Sequence, residues 1–248
     1  MILHGVEGIG KTSFAANAPS PIFIMARGET GLETLIDQRQ LPEVPHMPET
    51  LTWQDLLGAI ESLTVEEHGY KTLVLDTLNG LERLCHEFTC SRDFGGDWGN
   101  TGFASYSKGY EVSLTPWRDF LNSLDRLREQ KKMAIICLCH TKIKTFKNPL
   151  GNDFDRYQPA VHEKTWELTH RWADIVLFAN YLTLAEKDRN ELKAKGKGGQ
   201  QRVLYTIRHA AYDAKNRAGL PEEIDMGDTG AEAWGNFVSA IRTAKAAE

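Results

Sequence analysis

The stretch "HGVEGIGKTS" (residues 4–13) decides the fold of this chain. It contains glycines, a lysine and a threonine in the order G-x-x-x-x-G-K-T, the pattern of a phosphate-binding loop. Glycines let the backbone curl so that successive N–H groups point at phosphate oxygens, and the following helix adds its positive N-terminal end. The residues expected to contact the ligand are Gly5, Val6, Glu7, Gly8, Ile9, Gly10, Lys11, Thr12 and Ser13.

Two side chains of this loop carry the chemistry that a nucleoside triphosphate requires. Lys11 can reach the β- and γ-phosphates, and the hydroxyl of Thr12 can hold Mg²⁺. The loop follows the apolar residues "MIL" and precedes "TSFAANA", a helical stretch that Pro19 ends. Because the pattern stands between a strand and a helix, we predict an ATP site with Mg²⁺.

Apolar runs of strand length alternate with helical patterns along the rest of the chain. The predicted strands are "PIFIMA" (21–26), "TLVLD" (72–76), "MAIICLCH" (133–140), "DIVLFANYLT" (174–183) and "RVLYTIR" (202–208), and helices are expected near 53–63, 78–88, 117–127 and 231–245. This alternation predicts an α/β fold with a mostly parallel central sheet flanked by helices. The late strands, joined by the linker "KAKGKGG", predict an antiparallel edge. We interpret residues 1–248 as one domain.

The composition is typical of a globular protein, with 41% apolar and 25% charged residues. No apolar run reaches the roughly 18 residues of a membrane helix, and no signal peptide is visible. The net charge of −5 argues against a protein that coats nucleic acid with its whole surface. The four cysteines lack the usual spacing of zinc ligands, so we expect reduced thiols and a cytoplasmic location.

Asp76 ends the apolar strand "LVLD", where phosphate-loop ATPases carry the carboxylate that orders Mg²⁺. Asp76 could instead cap the helix that starts near Leu78, but Thr77 can take that role. Because the phosphate loop requires such an acid, we favour a metal site made by Thr12 and Asp76.

ATP hydrolysis also needs a group that orients and deprotonates the attacking water. Glu29 lies just past "PIFIMA", where the carboxyl end of a strand faces the phosphate crevice. Glu33 is a competitor that falls one turn into a helix, and Glu7 is less well placed to act as the base. His140 ends another buried strand and can contact the γ-phosphate or the water, or it can simply cap its own loop.

Taken in this order, these parts resemble the RecA-like ATPase core. More narrowly, they resemble the short phage RecA-like nucleotide-binding proteins, which include single-strand annealing recombinases. The similarity runs from "GVEGIGKTS" through "LVLDT" and "CLCHTK" to "AYDAKNRAGLP". In RecA-like and replicative-helicase families, a K-x-K or K-x-R pair reaches the nucleotide site of the neighbouring subunit. The resemblance implies that Lys215 and Arg217 act in trans as this finger, and that His140 senses the γ-phosphate.

The resemblance also implies that two long loops, about 90–112 and 142–161, contact single-stranded DNA. Aromatic rings stack on bases and cations neutralise phosphates, and both are required for such binding. The first segment carries Phe94, Trp98, Phe103, Tyr106 and Tyr110, which could also pack on the protein body. The second segment carries Lys142, Lys144, Lys147, Arg156 and Tyr157.

The expected function is that of a phage protein that hydrolyses ATP, binds single-stranded DNA and supports recombination by strand annealing. The resemblance implies a homo-oligomer, a ring or a filament with composite ATP sites, in the cytoplasm of an infected bacterium. A single-strand-binding protein is a candidate partner, and no membrane contact is expected. Two alternatives use the same parts: a helicase-type motor that depends on DNA, and a nucleotide-gated loader with little turnover.

Overall fold

The structure is a computed structural model that describes residues 1–186 and 195–246. Its strands are β1 (Ile2–Gly5), β2 (Pro21–Met25), β3 (Thr72–Asp76), β4 (Ala134–Phe146), β5 (Phe154–Pro159), β6 (Ile175–Glu186), β7 (Lys195–Tyr205), β8 (Lys215–Asn216) and β9 (Glu223–Asp225). Its helices are α1 (Lys11–Ala16), α2 (Gly31–Asp37), α3 (Trp53–Val65), α4 (Leu78–Phe94), α5 (Lys108–Val112), α6 (Leu114–Lys131), α7 (Glu163–Trp172) and α8 (Gly230–Ala246).

One sheet organises the described residues, with the strand order β2-β3-β4-β1-β6-β7-β9. The pairs from β2 to β6 are parallel, whereas β7 runs antiparallel to both β6 and β9. Strand β5 pairs with β4, and β8 pairs with β6, outside this order. The predicted fold class, a mostly parallel sheet with an antiparallel late edge, is confirmed.

Helices cover both faces of the sheet, and the central strands are buried and largely apolar. All five residues of β3 are buried. On one face, Trp53 of α3 and Trp117 of α6 stack with ring centroids 6.0 Å apart. On the other face, Phe14 of α1 packs edge-on against Phe237 of α8. Burial on both faces therefore makes the strand ends the main place for polar side chains.

The segment 90–112 is not the long loop that the sequence predicts. Helix α4 continues to Phe94, and residues 105–112 form a short 3-10 helix followed by α5. The ring of Phe103 is 1% exposed and lies 4.9–5.6 Å from the rings of Phe94, Trp98 and Tyr110. Packing on the protein body, the alternative for these aromatics, therefore holds for Phe103, while Tyr106 is fully exposed.

The segment 142–161 is also structured, which corrects the prediction of a second long loop. Strand β4 passes His140 and continues to Phe146, where a turn leads into β5. The two strands form an antiparallel hairpin in which Lys142 pairs with Gln158 and Lys144 pairs with Arg156. We call residues 141–159 the β4–β5 hairpin.

The late strands are longer than predicted. The expected linker "KAKGKGG" covers residues 193–199, but β7 already begins at Lys195, and residues 193 and 194 lie outside the described part of the chain. Helix α8 begins at Gly230 because Thr229 and Glu232 bond reciprocally to each other's backbone N–H groups. Within the described ranges, no helix is long and apolar enough to cross a membrane.

The buried aromatic cluster predicts unequal effects for two substitutions in one segment. Phe103→Ala should lower the free energy of unfolding by about 3–5 kcal/mol, because it leaves a cavity in packed surroundings. Tyr106→Ala removes a fully exposed ring, so the change should stay within about 0.5 kcal/mol. Urea denaturation of both variants tests this difference, and equal small effects would contradict the packing.

Candidate nucleotide site

The sheet register brings the predicted site residues to one edge. Gly5, the last residue of β1, pairs with His140 of β4, and Asp76 at the end of β3 pairs with Leu138 of β4. Above this edge lies a cavity of about 780 Å³, lined by the phosphate loop together with Glu29, Asp76 and His140. Parallel strands therefore place side chains from four distant parts of the sequence around one cavity.

The phosphate loop has the curled backbone that its glycines predict. Gly10 has φ of 98°, a conformation that side chains with a Cβ rarely adopt. The Lys11 ammonium donates to the carbonyl oxygens of Gly5 and Val6 at 3.0 and 2.9 Å, so it is held within the loop. Burial lowers the pKa of Lys11, while the negative charge of Asp76 opposes that shift.

The predicted metal pair is in contact. The Thr12 hydroxyl donates to Oδ2 of Asp76 at 3.0 Å. Burial, followed by the nearby Glu29, raises the pKa of Asp76 to about 6. Hard oxygen ligands suit Mg²⁺, and a cation would relieve the burial of this carboxylate. The residues present therefore fit Mg²⁺, with Thr12 and Asp76 as its protein ligands.

Thr77 caps α4, which leaves Asp76 free for the metal role. The Thr77 hydroxyl accepts from the Gly80 N–H and donates to Oε1 of Glu29 at 2.6 Å. Nε2 of His140 lies 3.6 Å from the same Glu29 oxygen. This contact with His140 is the main cause that lowers the pKa of Glu29, which is therefore ionised at neutral pH.

The two competing glutamates are placed differently. Glu33 is exposed in the first turn of α2 and does not line the cavity. Glu7 is exposed at the rim, within the phosphate loop. Only Glu29 lies both beside the cavity and beside His140, so the geometry favours it as the base.

The backbone N–H of His140 is hydrogen-bonded, and the residue lines the cavity. Its N–H donates to Oδ1 of Asn79 in the first turn of α4, at 3.1 Å. Its Nδ1 is buried and has no hydrogen-bond partner among the described residues. The residue lines the cavity with Nε2 beside Glu29, whereas Nδ1 is turned into the protein.

Lys215 and Arg217 do not line this cavity. Lys215 pairs with Val176 near the start of β6, whereas the phosphate loop follows Gly5, which pairs with Ala179. Three residues of strand separate these levels by about 10 Å. The Lys215 ammonium contacts three carbonyl oxygens at 2.5–3.2 Å, those of His170, Arg171 and Ala173. Arg217 pairs with Asp174 at 3.1 Å on the surface.

Comparison with known families identifies the type of domain. The AAA_24 family of AAA domains matches residues 1–218. The chain belongs to this AAA domain family. Family membership and the strand order together support a RecA-like P-loop ATPase core, as the sequence predicts. Among curated proteins, none matches this sequence.

Solved structures with a similar fold have little sequence identity to this AAA domain. The RadB recombinase is 10% identical, covers 93% of this chain and 88% of its own, and has a TM-score of 0.47. The flagellar accessory protein FlaH from Methanocaldococcus jannaschii is 12% identical, covers 90% of this chain and 82% of its own, and has a TM-score of 0.43.

Two residues predicted to bind DNA have structural roles in this AAA domain. Arg156 is 8% exposed and donates to Oδ1 of Asp213 at 2.6 Å. Tyr157 is half-buried, with its ring 5.1 Å from that of Phe178. A guanidinium that is buried needs a carboxylate partner, so Arg156 serves the hairpin's attachment rather than a surface contact. Both residues thus have partners within the protein, and DNA binding by them stays a prediction.

The three lysines predicted to bind DNA are exposed on the β4–β5 hairpin. Each already has a protein acceptor. Lys142 donates to the Val161 carbonyl at 3.0 Å, Lys144 lies 3.8 Å from Glu163, and Lys147 lies 2.6 Å from Asp153. Together with Phe146, His162 and Trp166, they line a groove of about 640 Å³ between the hairpin and α7.

Sequence reasoning missed several residues that line the nucleotide cavity. Arg202 of β7 and residues 228–231 at the start of α8 line it together with Glu29. The spacing of Thr229 and Glu232 is a capping signal that could have marked the start of α8. No sequence signal relates Arg202 to the phosphate loop, because 190 residues separate them and only strand pairing brings them together.

Because the Asp76 carboxyl is buried, replacing it with a neutral group should raise the free energy of unfolding at neutral pH. Because the pKa is raised in the folded state, the native protein binds a proton more readily, and stability falls as pH rises between about 4 and 6. Asp76→Asn should therefore be more stable than the wild type at pH 7 by about 1–3 kcal/mol, and equally stable near pH 4.

This comparison is made by thermal or urea unfolding in EDTA without nucleotide. The same variant should lose the Mg²⁺ dependence of nucleotide binding, since the amide is a poorer metal ligand than the carboxylate. If Asp76→Asn is less stable than the wild type at pH 7, the conclusion that burial of the charged Asp76 carboxylate destabilises the protein is contradicted.

Proposed function

We propose that this AAA domain binds ATP with Mg²⁺, hydrolyses it, binds single-stranded DNA and supports recombination by strand annealing. One observation carries the nucleotide part of this proposal: Lys11, the Thr12–Asp76 pair and the Glu29–His140 pair converge on one cavity. These are the groups that phosphoryl transfer to water requires, namely a cation for the phosphates, metal ligands, a base and a sensor.

Each group has a distinct role in the proposed reaction. The loop N–H groups and Lys11 hold the phosphates of ATP. The ionised Glu29 accepts a proton from the attacking water, and His140 donates to the γ-phosphate or orients that water. Bound Mg²⁺ would neutralise charge on the phosphates. Thr77 fixes the Glu29 carboxylate through the 2.6 Å hydrogen bond.

The DNA part of the proposal rests on the β4–β5 hairpin. It continues the strand that carries His140, so the sensor and the hairpin share one strand. Lys142, Lys144 and Lys147 supply cations, and Ile143 is an apolar residue that is 64% exposed. Surface ion pairs such as Lys144–Glu163 are weak, so a phosphate can replace the carboxylate.

The proposed assembly rests on where Lys215 and Arg217 lie in the fold. Lys215 and Arg217 are remote from their own phosphate loop, so a finger role requires a second subunit. Composite sites of this kind need a head-to-tail oligomer, a ring or a filament. We place this assembly in the cytoplasm of a phage-infected bacterium, with a single-strand-binding protein as a candidate partner. Unwinding of a tailed duplex would instead favour a motor.

The base assignment is tested by two matched glutamate variants. Glu29→Gln should bind ATP normally but hydrolyse it about 100-fold or more slowly, since the amide cannot accept the proton. Glu33→Gln makes the same change on the exposed face of α2 and should hydrolyse ATP like the wild type. Phosphate release under saturating ATP measures both rates. Normal turnover by Glu29→Gln would contradict the assignment.

The trans finger is tested by mixing two inactive variants. Arg217→Ala should bind ATP but turn over roughly a thousandfold more slowly, and Lys11→Ala should not bind ATP productively. In a mixed assembly, the phosphate loop of the first variant meets the finger of the second. ATPase activity should therefore recover on mixing, to a level that neither variant shows alone.

The control for this experiment mixes Lys11→Ala with Glu29→Gln. Both changes damage the same half of the composite site, so no intact site forms and no activity should return. Sedimentation of labelled subunits verifies that both assemblies contain both variants. If Arg217→Ala with Lys11→Ala also recovers nothing, the trans pair and its oligomer are contradicted.

The hairpin lysines should set the salt dependence of DNA binding. Replacing Lys142, Lys144 and Lys147 by Gln should weaken the affinity for a single-stranded oligonucleotide. The negative slope of log K against log salt should become shallower by about 2. Neutralising Lys71, Lys132 and Lys245 changes the net charge equally on exposed positions elsewhere and should leave that slope unchanged. Equal slopes in the two triple variants would contradict DNA binding by the hairpin.

A further inference from the structure

Arg202 is the cation of the nucleotide cavity that no motif predicts. It lies on β7, paired with Tyr181 of β6, and its side chain is half-buried. Its guanidinium donates to the Gly227 carbonyl from Nε at 3.0 Å and from Nη2 at 2.7 Å, and to the Ile9 carbonyl from Nη1 at 3.3 Å. No carboxylate of the described residues lies within ion-pair distance of it.

These bonds connect two walls of the cavity. Ile9 belongs to the phosphate loop, and Gly227 precedes α8 by three residues. The start of α8 in turn touches α1, because a Cβ at Gly230 would lie 2.5 Å from the Ser13 carbonyl oxygen. Arg202 therefore connects the phosphate loop to the segment before α8, and the start of α8 in turn contacts the first turn of α1.

The hydrogen bond from Arg202 to the Ile9 carbonyl affects the orientation of the Gly10 N–H, which is an expected phosphate donor of the loop. The carbonyl of Ile9 and the N–H of Gly10 belong to the same planar peptide unit, so they point in opposite directions. A guanidinium that holds the Ile9 oxygen thereby aims the Gly10 N–H away from Arg202. At Gly10 the backbone has a φ of 98°, and a Cβ there would lie only 2.7 Å from Nη1 of Arg202, so the contact is close.

We propose that Arg202 is a positioning residue of the nucleotide site, which orients the Gly10 N–H and fixes the phosphate loop against the entry to α8. This inference rests on the proposed function, since it concerns how the same site binds ATP and ADP. Arg202 acts through the geometry of its three bonds rather than through its charge alone. Arginine suits this role because its planar fork donates to two acceptors at once.

The test compares substitutions at Arg202 in the full chain, with a fluorescent ADP analogue as the probe. Arg202→Met keeps the aliphatic stem and removes every donor, so ADP affinity should fall about tenfold or more. Arg202→Lys keeps the charge but not the fork, and its affinity should also fall, though less. The KM for ATP should rise by a larger factor than kcat falls, because the effect is mainly on binding.

A neighbouring variant separates positioning from general stability. Val203→Ala alters the next residue of β7, which is 3% exposed, and should lower the melting temperature without changing ADP affinity. If Val203→Ala weakens ADP as much as Arg202→Met does, the effect of Arg202 is merely structural and the proposal is overturned.

Two further outcomes distinguish this inference from the function on which it rests. Wild-type ADP affinity in Arg202→Lys would show that charge suffices, and it would overturn the positioning role alone. If the wild-type protein bound neither ATP nor ADP, the nucleotide site itself would be refuted, and this inference with it.

Discussion

The parallel pairing of β1 between β4 and β6 is the constraint on which the site depends. It puts the carboxyl ends of the central strands at one edge, with Gly5 beside His140 and Asp76 one strand further along. Because helices bury both faces of these strands, polar side chains lie mainly at the strand ends, and those within a strand, such as His4, need hydrogen-bond partners. The phosphate loop, the metal ligands and the sensor are therefore neighbours because of strand register, although they are far apart in sequence.

The site is built from charges that are unfavourable to bury. Asp76 is 5% exposed, and burial raises its pKa, while burial lowers the pKa of Lys11. Both shifts disfavour the charged forms of Asp76 and Lys11, so the site with both charges is less stable than the same site with neutral side chains would be. Their mutual attraction offsets part of this. Such a balance is typical of functional sites, where binding a ligand with opposite charges relieves the burial.

A buried polar network attaches the β4–β5 hairpin to the core. The Asp213 carboxylate accepts from Arg156 at 2.6 Å and from the Trp166 indole at 3.1 Å, and its carbonyl oxygen lies 2.7 Å from Nε2 of His4. Burial lowers the pKa of His4 to about 4, so this histidine is neutral at physiological pH. The same aspartate lies two residues before Lys215. The hairpin and the segment that carries the finger candidates are thus tied to one residue.

The sequence by itself determined the elements whose signals are local. The phosphate loop, the buried strand that ends at Asp76, the buried part of β4 that leads to His140, and the amphipathic helices follow from residue pattern, since glycine geometry and apolar periodicity act over a few residues. Thr77 as the cap of α4 also followed from sequence, because capping involves only the first turn. Glu29 was predicted from its place after β2, and its contacts with Thr77 and His140 agree with that place.

Only the tertiary structure decided which polar and aromatic residues face the surface. Phe103 and Arg156 carry the residue types that DNA binding needs, yet one is packed among rings and the other is paired with Asp213. Arg202 has no local signal, yet strand pairing sets it against the phosphate loop. The physical reason is the same in each case. Residue type determines what a side chain can do, but only folding selects its partners, whether these are nearby rings, as for Phe103, or distant residues, as for Arg156 and Arg202.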